Sequence, residues 1–524
     1  MLDTYTQPVA PISDYAIIVN KDDNVAVVKN ETEAGLNVLL PNQKVLTVKQ
    51  AVPPGHRFAT RDIAAGDFVR QYGQPIGTSL GIEKGEWITH ENMSDDVPII
   101  RDLPEDIYNP SPDYFPLEET GSFMGFRRND GRVGTRNFVL IVPTSMCASH
   151  EATQISMMSE FLHYKREKFP NIDGVVAIPH NKGCGCQDGS TLDVMMRTLS
   201  NYADHPNVGG VILIDLGCEK TNLSYVEKYL TKREKPIDKP FYKIGIQEVG
   251  GTQAAIEQGL KFVEEMLPEV NKTKREEFPL SELVLGVKCG GSDGFSGISA
   301  NPALGYASDL LIRSGGTVLI TEVPEFCGAE HILANRAKDF ATGKKIYAMI
   351  DWYKEYASKF GAVLNNNPST GNIAGGLLNI TIKSLGAIVK AGTTRVEDCV
   401  EYAETPRLRG LNLMQGPGYD QESTPGLVAA GATVVIFTTG RGTTIGNAIA
   451  PVIKLASNNA IFERMSRDLD VSAGNIIEGT ESIAEVGERL FEHLRKVSSG
   501  EILALAEENK HREFQFWAEQ TVSL

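Results

Sequence analysis

Val284-Leu-Gly-Val-Lys-Cys-Gly-Gly-Ser-Asp-Gly-Phe-Ser-Gly-Ile-Ser-Ala-Asn-Pro-Ala-Leu-Gly305 is the stretch that decides the fold of the C-terminal half of the chain. The apolar run 283–287 predicts a short buried strand, and the pattern over 303–312 predicts a helix. The glycine-rich loop between them carries polar side chains. Ligands of parallel α/β sheets bind outside the carboxyl ends of the strands, so we expect this loop to line a ligand site. A tight structural turn is the alternative.

The same order of elements recurs along the chain. Apolar runs at 138–142, 174–178 and 210–214 predict buried strands, each followed by a helix. Apolar strands that alternate with helices are typical of parallel sheets covered on both faces. We therefore expect an α/β protein with mainly parallel sheets, divided into one domain over 121–275 and a larger catalytic domain over 276–524.

The N-terminal part has a different pattern. Short β-branched runs at 15–19 and 24–28 are separated by turn residues, and such turn signals continue through residues 1–93. This pattern predicts a small β-rich domain. Residues 94–120 contain five prolines and many acidic residues, and they predict a linker that lies over a surface.

Thiols follow three predicted strands of the domain over 121–275, at Cys147, Cys184 and Cys218, and Cys289 follows the predicted strand 283–287. The carboxyl ends of parallel strands meet at one edge of a sheet, where thiolates could bind a metal ion. Small buried structural thiols are the alternative. His56 lies between a glycine and an arginine in the N-terminal domain, and imidazole suits both metal ligation and proton transfer.

The composition restricts the function. The chain has 524 residues, a formal net charge of −16 and no run rich in Lys and Arg, which argues against nucleic-acid partners and membrane binding. No stretch approaches about 18 apolar residues, and the first residues lack a secretory-signal pattern. Seven cysteines are an odd number, so we expect free thiols in the cytoplasm rather than a disulfide framework.

Common catalytic motifs are absent from the sequence. It contains no Walker loop, no nucleophile elbow, no His-Glu-x-x-His pair and no Gly-x-Gly-x-x-Gly between a strand and a helix. What remains is a set of glycine-rich loops, thiols, acids, lysines and arginines. Such a set suits metal-assisted removal of the proton next to a carboxylate, followed by loss of a β-leaving group.

A series of longer motifs occurs in order along the chain: Gly55-His-Arg-Phe-Ala59, Asp130-Gly-Arg-Val-Gly-Thr-Arg-Asn137, Gly183-Cys-Gly185, Gly217-Cys-Glu219, Cys289-Gly-Gly-Ser-Asp293, Ala300-Asn-Pro-Ala303, Asn367-Pro-Ser369 and Thr438-Thr-Gly-Arg-Gly442. With these motifs the sequence resembles the altronate/galactarate dehydratase family over nearly its whole length. The resemblance implies an N-terminal SAF-like domain, dehydration of a sugar acid to a 2-keto-3-deoxy acid, and a divalent ion, most simply Fe(II), with Mn(II) or Mg(II) as alternatives.

We expect a small-molecule substrate and a homo-oligomer, most simply a dimer. The motifs and the strand ends identify three sets of candidate residues. The catalytic candidates are His56, His180, Lys383 and Arg441. The substrate-binding candidates are Ser292, Asp293, Ser296, Asn301, Asn372, Thr438, Thr439 and Arg441. The metal-ligand candidates are Cys184, Cys218, Cys289 and His56.

Two departures from the family pattern leave the substrate open. Altronate dehydratases have Glu-Lys-Ser-Leu-Gly where this chain has Ile382 before Lys383, and Met-Asp-Thr-Pro-Gly-Tyr-Asp where it has Met414-Gln-Gly-Pro-Gly-Tyr-Asp420. A sulfolactate-type sulfo-lyase that releases sulfite is therefore a second hypothesis, because that enzyme is a relative with the same mechanism. A non-catalytic metal- or glycan-binding protein is the third.

Arg441 gives the first testable prediction. It follows the predicted strand 433–437 between two glycines, and a guanidinium binds a carboxylate through two parallel hydrogen bonds that Lys cannot copy. We expect Arg441→Lys to lower kcat and to raise KM, with a loss of about ten- to a hundredfold in kcat/KM. Steady-state kinetics of the folded variant measure this, and wild-type kcat and KM would contradict a substrate clamp.

Overall fold

The computed structural model describes residues 9–186, 188–230 and 237–518. The predicted N-terminal domain begins at residue 1 and the predicted C-terminal domain ends at residue 524, and both of these bounds lie outside the described ranges. Within them the fold consists of a β-rich N-terminal domain and two α/β domains built on parallel sheets. The predicted fold class is therefore confirmed. None of the described helices is long and apolar enough to cross a membrane.

The N-terminal domain contains three small sheets, ordered β1-β4-β5, β2-β3-β6 and β7-β8-β9. Their cores are made by β-branched and aromatic side chains such as Val27, Val28 and Phe58, which are fully buried. All the pairings are antiparallel except β1 with β4. The strands are β1 Ala10–Pro11, β2 Ala16–Ile17, β3 Val25–Val28, β4 Asn37–Leu39, β5 Val45–Thr47, β6 Arg57–Ala59, β7 Phe68–Gln71, β8 Gln74–Ser79 and β9 Met93–Ser94.

The proline-rich segment runs along the C-terminal domain. Arg101 forms two hydrogen bonds of 2.6 Å with the carboxylate of Asp351. Further along, the Asn109 side chain donates to two backbone carbonyl groups of the C-terminal domain, and Phe115 N donates to Arg313 O. Prolines keep this segment extended, so its polar groups bond to the neighbouring domain rather than to each other.

The second domain has a four-stranded parallel sheet, ordered β13-β12-β14-β15. Alternate residues of its central strand face opposite cores: Val139 and Ile141 pack with α1 and α5, while Leu140 and Val142 pack with α2. The elements are β10 Ser122–Arg127, β11 Val133–Gly134, β12 Phe138–Pro143, α1 Ser149–Leu162, β13 Gly174–Ala177, α2 Ser190–Ala203, β14 Val208–Asp215, α3 Leu223–Leu230, β15 Phe241–Gly245, α4 Ile246–Val249, α5 Thr252–Val270 and β16 Arg275–Pro279.

The C-terminal domain is built on a seven-stranded parallel sheet, ordered β19-β20-β18-β17-β21-β22-β23. The elements as far as the second half of the sheet are β17 Val284–Cys289, α6 Ala300–Arg313, β18 Thr317–Ile320, α7 Glu330–Ala334, α8 Phe340–Ser358, α9 Thr370–Ala374, α10 Ile380–Ile388, β19 Val396–Val400, β20 Gly410–Met414 and α11 Asp420–Ala429. The remaining elements are β21 Val434–Thr439, β22 Val452–Ala456, α12 Asn459–Arg464, β23 Val471–Ser472, α13 Gly474–Glu478, α14 Ile483–Ser499 and α15 Leu505–Glu508.

The order of these strands fixes where the sheet opens. The chain leaves β17 toward β18 on one side and later returns to β21 on the other side, so the order reverses between β17 and β21. Ligands of open parallel sheets bind in the crevice at such a reversal. The loops after β17 and β21 flank this crevice. Helix α6 begins at Ala300, slightly before the predicted 303–312, because Pro302 lies in the first turn, where no helical N–H bond is needed.

Three glycine backbones cross where the N-terminal domain meets the C-terminal domain. A Cβ on Gly294 would lie 2.1 Å from Gly55 O, and one on Gly55 would lie 2.5 Å from Gly375 O. Gly294 N donates to Gly375 O at 2.7 Å, and this hydrogen bond joins two of the three backbone segments. Only glycine lets the backbones approach this closely.

Gly294→Ala tests this crossing. The added methyl group meets backbone rather than a flexible side chain, so we expect a loss of about 1–3 kcal/mol in the free energy of unfolding and faster proteolysis of the N-terminal domain. Gly185→Ala is the control, because its Cβ would meet no atom within 4 Å. Thermal unfolding and limited proteolysis measure the two variants, and equal stability in both would contradict the close crossing.

Candidate active site

A cavity of about 310 Å³ lies at the carboxyl edge of the C-terminal sheet. We call it the inner cavity. It lies beside the crevice between β17 and β21, because the loop after β17 forms one wall. Its size falls at the small end of the range for ligand sites and suits a six-carbon acid. The inner cavity is lined by Gly290, Gly291, Glu325, Asn366, Asn367, Ser369, Asn372, Lys383, Gly418, Tyr419 and Asp420.

Lys288 lies beneath this cavity with no exposed side-chain surface. Its ammonium group pairs with Glu322 and, at 2.8 Å, with Asp420. It also donates to Gly418 O at 3.0 Å. Burial alone would lower the pKa of Lys288, but the Asp420 and Glu322 carboxylates outweigh it, and the pKa lies above its ordinary value. Lys288 therefore stays protonated.

Glu322 links Lys288 to a second buried lysine. Its side chain is fully buried, and its other oxygen lies 2.8 Å from the ammonium group of Lys390, which is also fully buried. Burial raises the pKa of Glu322 above its ordinary value, against the opposing effect of the two lysines. A buried charge is tolerated only when it is paired, so these groups hold the ends of β17 and β18 and the segment 389–391 in one arrangement.

A second ion pair reaches the cavity itself. Lys383 Nζ donates to Glu325 Oε1 and to Asn367 Oδ1, both at 2.8 Å. Burial tends to raise the pKa of Glu325, but the charges of Lys383 and Lys288 outweigh it, and the pKa is lowered. Glu325 Oε2 is buried and has no hydrogen-bond partner among the described residues. An ammonium group is thus held at the cavity wall by two oxygen atoms.

Asp420 is the most accessible acid of this group, with its side chain 32% exposed. It begins helix α11 and lines the cavity. A Cβ on Gly290 would lie 2.5 Å from Asp420 Oδ2, so glycine is required at that position for the carboxylate to reach the cavity. Asp420 and Lys383 therefore offer one carboxylate and one ammonium group to the same small volume.

The predicted substrate ligand Asp293 has its carboxylate occupied by protein donors. Its Oδ1 accepts from Ser296 Oγ and Ser457 Oγ, each at 2.9 Å, and its Oδ2 accepts from Asn458 Nδ2 at 3.1 Å. Burial raises the pKa of Asp293, and the two serine hydroxyls oppose that shift. Asp293 and Ser296 thus tie the loop after β17 to the loop after β22 and shape the site without facing the inner cavity.

Other predicted substrate ligands also bond to the protein. Asn301 donates to Gly386 O at 2.8 Å and accepts from Thr438 Oγ1 at 2.6 Å. Ser292 Oγ lies 2.7 Å from Cys289 Sγ. Two more follow the same pattern: Thr439 Oγ1 accepts from Gly442 N at 3.1 Å, and Asn372 Nδ2 donates to Ser292 O at 2.8 Å. Of these residues only Asn372 lines the inner cavity.

Arg441 follows β21 and is not one of the residues that line the inner cavity. Its backbone N donates to Gly291 O at 2.9 Å, next to the inner cavity, and its Nε would lie 3.7 Å from a Cβ on Gly371. Its exposed side chain lines a second cavity of about 700 Å³ between the N-terminal and C-terminal domains. We call this the interdomain cavity; Lys29 and Arg464 are also among its lining residues. The clamp role of Arg441 stays a prediction.

His56 lies at the junction of the N-terminal and C-terminal domains. Its Nε2 lies 3.2 Å from Ala374 O, and its ring packs edge-on against Trp87. Burial lowers its pKa, so the ring is neutral. The buried Nδ1 has no partner in the described part of the chain, although His56 lines neither the inner nor the interdomain cavity. His56 contacts the C-terminal domain, and its role as a metal ligand or proton-transfer group stays a prediction.

His180 belongs to the second domain and has both ring nitrogens engaged. Nε2 lies 2.9 Å from Pro143 O, and Nδ1 accepts from Lys182 N at 3.2 Å. The ring packs edge-on against Phe516. Burial lowers the pKa of His180 to about 4. These bonds leave neither nitrogen free for proton transfer, so the geometry favours a structural role over the predicted catalytic one.

The predicted metal ligands do not come together. Cys184 and Cys218 are exposed on the second domain, whereas Cys289 is buried under the loop after β17 and His56 lies at the domain junction. Across residues 9–186, 188–230 and 237–518, no three side chains from His, Cys, Asp or Glu are grouped so that they could hold a metal ion. The described residues therefore do not fit the predicted ligand set.

Four residues of the site were missed by the sequence predictions: Lys288, Glu322, Glu325 and Asp420. One signal for them was available. A lysine at the end of an otherwise apolar strand, 284–289, must find a buried acidic partner, and Glu322 follows the next strand directly. The sequence contains no such signal for the contact between Asp420 and Lys288, because that contact depends on the three-dimensional path of the loop between β20 and α11.

Comparisons with known proteins find related domains in all three parts of the chain. Family models match residues 14–96 as an altronate/galactarate dehydratase SAF domain, 125–271 as the second domain of D-galactarate dehydratase/altronate hydrolase, and 280–522 as the D-galactarate/altronate dehydratase C-terminal domain. Altronate dehydratase of Bacillus subtilis is 36% identical over 93% of this chain and 95% of its own length. Galactarate dehydratase (L-threo-forming) of Escherichia coli is 36% identical over 93% of both chains. The (2R)-sulfolactate sulfo-lyase subunit beta of Chromohalobacter salexigens is 33% identical over 75% of this chain and 96% of its own length.

His180 provides a test through pH. Its pKa is about 4 in the folded state and about 6.5 when unfolded, so the unfolded state binds the extra proton between these values and stability falls as pH falls from 6.5 to 4. Between pH 7 and pH 5 we expect the free energy of unfolding of the wild type to drop by about 2 kcal/mol more than that of His180→Gln. Exposed His90→Gln is the control, and equal drops in all three proteins would contradict a buried neutral His180.

Proposed function

Because this chain belongs to the D-galactarate/altronate dehydratase family, and its relatives named altronate and galactarate dehydratases are hydro-lyases, we propose that it removes water from a hydroxylated sugar acid, an aldonate or aldarate, to give a 2-keto-3-deoxy acid. One observation carries the proposal beyond the family: Asp420 and Lys383 line the same inner cavity, and each is held by a buried charged partner. Elimination of water needs a base and an acid in one site.

In the proposed mechanism Asp420 is the base. Its carboxylate, oriented by Lys288 and able to reach the cavity past Gly290, takes the proton from the carbon next to the substrate carboxylate. The electrons of that C–H bond move toward the carboxylate and form an enediolate. Ammonium and guanidinium groups near the cavity stabilise the added negative charge, as preorganised charges do in other enzymes.

Lys383 is the proposed acid. Its ammonium group, held by Glu325 and Asn367, gives a proton to the β-hydroxyl group as the C–O bond breaks, so that water leaves. The resulting enol takes up a proton from solvent at the β-carbon, loses the proton of its 2-hydroxyl group to solvent, and becomes the 2-keto-3-deoxy acid. Asp420 carries the first proton and Lys383 supplies the second, so both groups return to their starting states when solvent re-equilibrates them.

A divalent ion belongs to the proposal only as an expectation from the resemblance. Fe(II), or Mn(II) or Mg(II) in its place, would stabilise the enediolate as a Lewis acid. The described side chains offer no set of three ligands for it, so no step above depends on it. The homo-oligomer, most simply a dimer, and the cytoplasmic location likewise stay predictions.

An assay of 2-keto acid formation tests the proposal. The purified enzyme is incubated with D-galactarate, D-glucarate, D-altronate and D-galactonate, with Fe(II) or with EDTA, and the product is followed as its semicarbazone. We expect turnover of at least one acid, and a loss of about 10²–10⁴-fold in kcat for Asp420→Asn and for Lys383→Met. Loss of activity in EDTA that Fe(II) restores would support the metal.

Two surface variants serve as matched controls. Asp113 is 97% exposed and Lys261 is 73% exposed, so Asp113→Asn and Lys261→Met should keep wild-type rates. Full activity of Asp420→Asn would contradict its role as base. Release of sulfite from (2R)-sulfolactate without turnover of any sugar acid would instead favour the sulfo-lyase, and binding without any turnover would favour a non-catalytic protein.

A further inference from the structure

A third cavity, of about 650 Å³, lies at the same carboxyl edge of the C-terminal sheet but at its outer strands. We call it the outer cavity. It opens where β19 and β20 end, between α8 and the C-terminal segment that carries Trp517. It shares no lining residue with the inner cavity. The outer cavity is lined by Lys345, Ala348, Met349, Trp352, Asp398, Cys399, Val400, Glu401, Glu404, Thr405, Arg407, Gln415 and Trp517.

Two buried polar groups in its wall lack partners. Gln415 is 5% exposed, and its Oε1 accepts no hydrogen bond from the described residues, although its Nε2 donates to Met349 O at 3.3 Å. Trp517 is 2% exposed, and its indole N–H is likewise unpaired within the described ranges. Buried donors and acceptors are usually satisfied in folded proteins. Both side chains line the outer cavity, so a ligand bound there is one way to supply partners for this acceptor and this donor.

The remaining lining groups define the chemistry of that ligand. Trp352 and Trp517 lie with ring centroids 5.8 Å apart and offer apolar contact. Lys345 is paired with Asp398 at 2.7 Å, whereas exposed Arg407 has no ion pair in the part of the chain that the structure describes. A free guanidinium suits one carboxylate.

The acids of the outer cavity narrow the ligand further. Glu401 and Glu404 add two carboxylates that accept hydrogen bonds from hydroxyl groups, and together with Asp398 they outnumber the two cations of the lining, Lys345 and Arg407. This balance disfavours a polyphosphate or a nucleotide. Aromatic faces, hydroxyl acceptors and a single free cation together fit a polyhydroxylated acid that presents one carboxylate to Arg407.

A short loop joins the outer cavity to the inner one. Gln415 N donates to Val400 O at 2.8 Å on the outer side, and Gly418 to Asp420 line the inner cavity five residues or fewer along the chain. Between them, Gly416 O accepts from Val323 N at 3.2 Å, in the segment that carries Glu322 and Glu325. A ligand that contacts Gln415 would therefore shift residues 416–419, the backbone segment that leads to Asp420.

We propose that the outer cavity is a second, non-catalytic binding site for a sugar acid, coupled to the inner cavity through residues 415–420. The ligand class rests on the proposed function, since the substrate or product of that reaction is the sugar acid at hand. Its one ammonium group, on Lys345, is 55% exposed, whereas that of Lys383 is 8% exposed and held by a buried carboxylate, so we expect the outer cavity to bind without reacting.

Tryptophan fluorescence tests the site directly. The chain has three tryptophans, of which Trp352 and Trp517 line the outer cavity and Trp87 lies in the N-terminal domain. Titration of Asp420→Asn with D-galactarate, D-glucarate, D-altronate and D-galactonate should give a saturable change with at least one acid, and neutral D-galactose should give none. Adding Arg407→Gln should weaken the binding seen by fluorescence at least about tenfold.

Arg409→Gln is the matched control, because Arg409 is exposed on the same loop, pairs with Glu282 and does not line the cavity. It should leave the fluorescence change intact, and both arginine variants should keep the turnover measured at low substrate. Calorimetry should count two sites per chain in Asp420→Asn and one after Arg407→Gln is added.

Because the two cavities are coupled in the proposal, the rate–concentration curve of the wild type should deviate from a hyperbola, and Arg407→Gln should restore the hyperbola. Three results would overturn the proposal: no saturable change with any of the four acids, a change that Arg407→Gln leaves intact, or a rate–concentration curve that is hyperbolic in both the wild type and Arg407→Gln. Failure of the proposed function has a different signature. In that case no 2-keto acid forms from any sugar acid, whatever the fluorescence titration shows.

Discussion

The site depends on a chain of buried charges. Lys288, with no exposed side-chain surface, forms ion pairs with Glu322 and with Asp420. Glu322 forms a further ion pair with buried Lys390. Removing one partner of a buried pair leaves the other charge in a medium of low polarity, at a cost of about 3–5 kcal/mol. The ends of neighbouring strands and the start of α11 are therefore fixed relative to one another before any substrate binds. Preorganisation of this kind is what a base and an acid in one small cavity require.

A second set of contacts holds the loops that surround these buried ion pairs. Asp293 accepts hydrogen bonds from its own loop and from the loop after β22, while Gly55, Gly294 and Gly375 bring the N-terminal domain against both. The polar residues of the glycine-rich loop thus bond mainly to the protein. They set the shape of the carboxyl edge, and Lys383 and Asp420 present the ionisable groups. Residues of these loops line both the inner and the interdomain cavities, and Arg441 lines the interdomain cavity.

Much of the fold could be predicted because it depends on local pattern. Apolar runs of five residues followed by polar loops identified the central strands of both parallel sheets, and the strand predicted over 174–178 extends over 174–177 in the structure. The active-site residues were harder because they depend on pairing between distant segments. Lys288 meets Glu322, 34 positions further along, and Asp420 approaches from 132 positions away. His180 had the residue type of a proton-transfer group, but its two backbone bonds could be recognised only in three dimensions.

The most direct measurement is a crystal structure of Asp420→Asn with a bound sugar acid that the wild type turns over. The account predicts the acid in the inner cavity, with its carboxylate toward Arg441, its α-carbon facing residue 420 and its β-hydroxyl within hydrogen-bond distance of Lys383 Nζ. An acid bound in the interdomain cavity, with neither residue 420 nor Lys383 in contact, would contradict it.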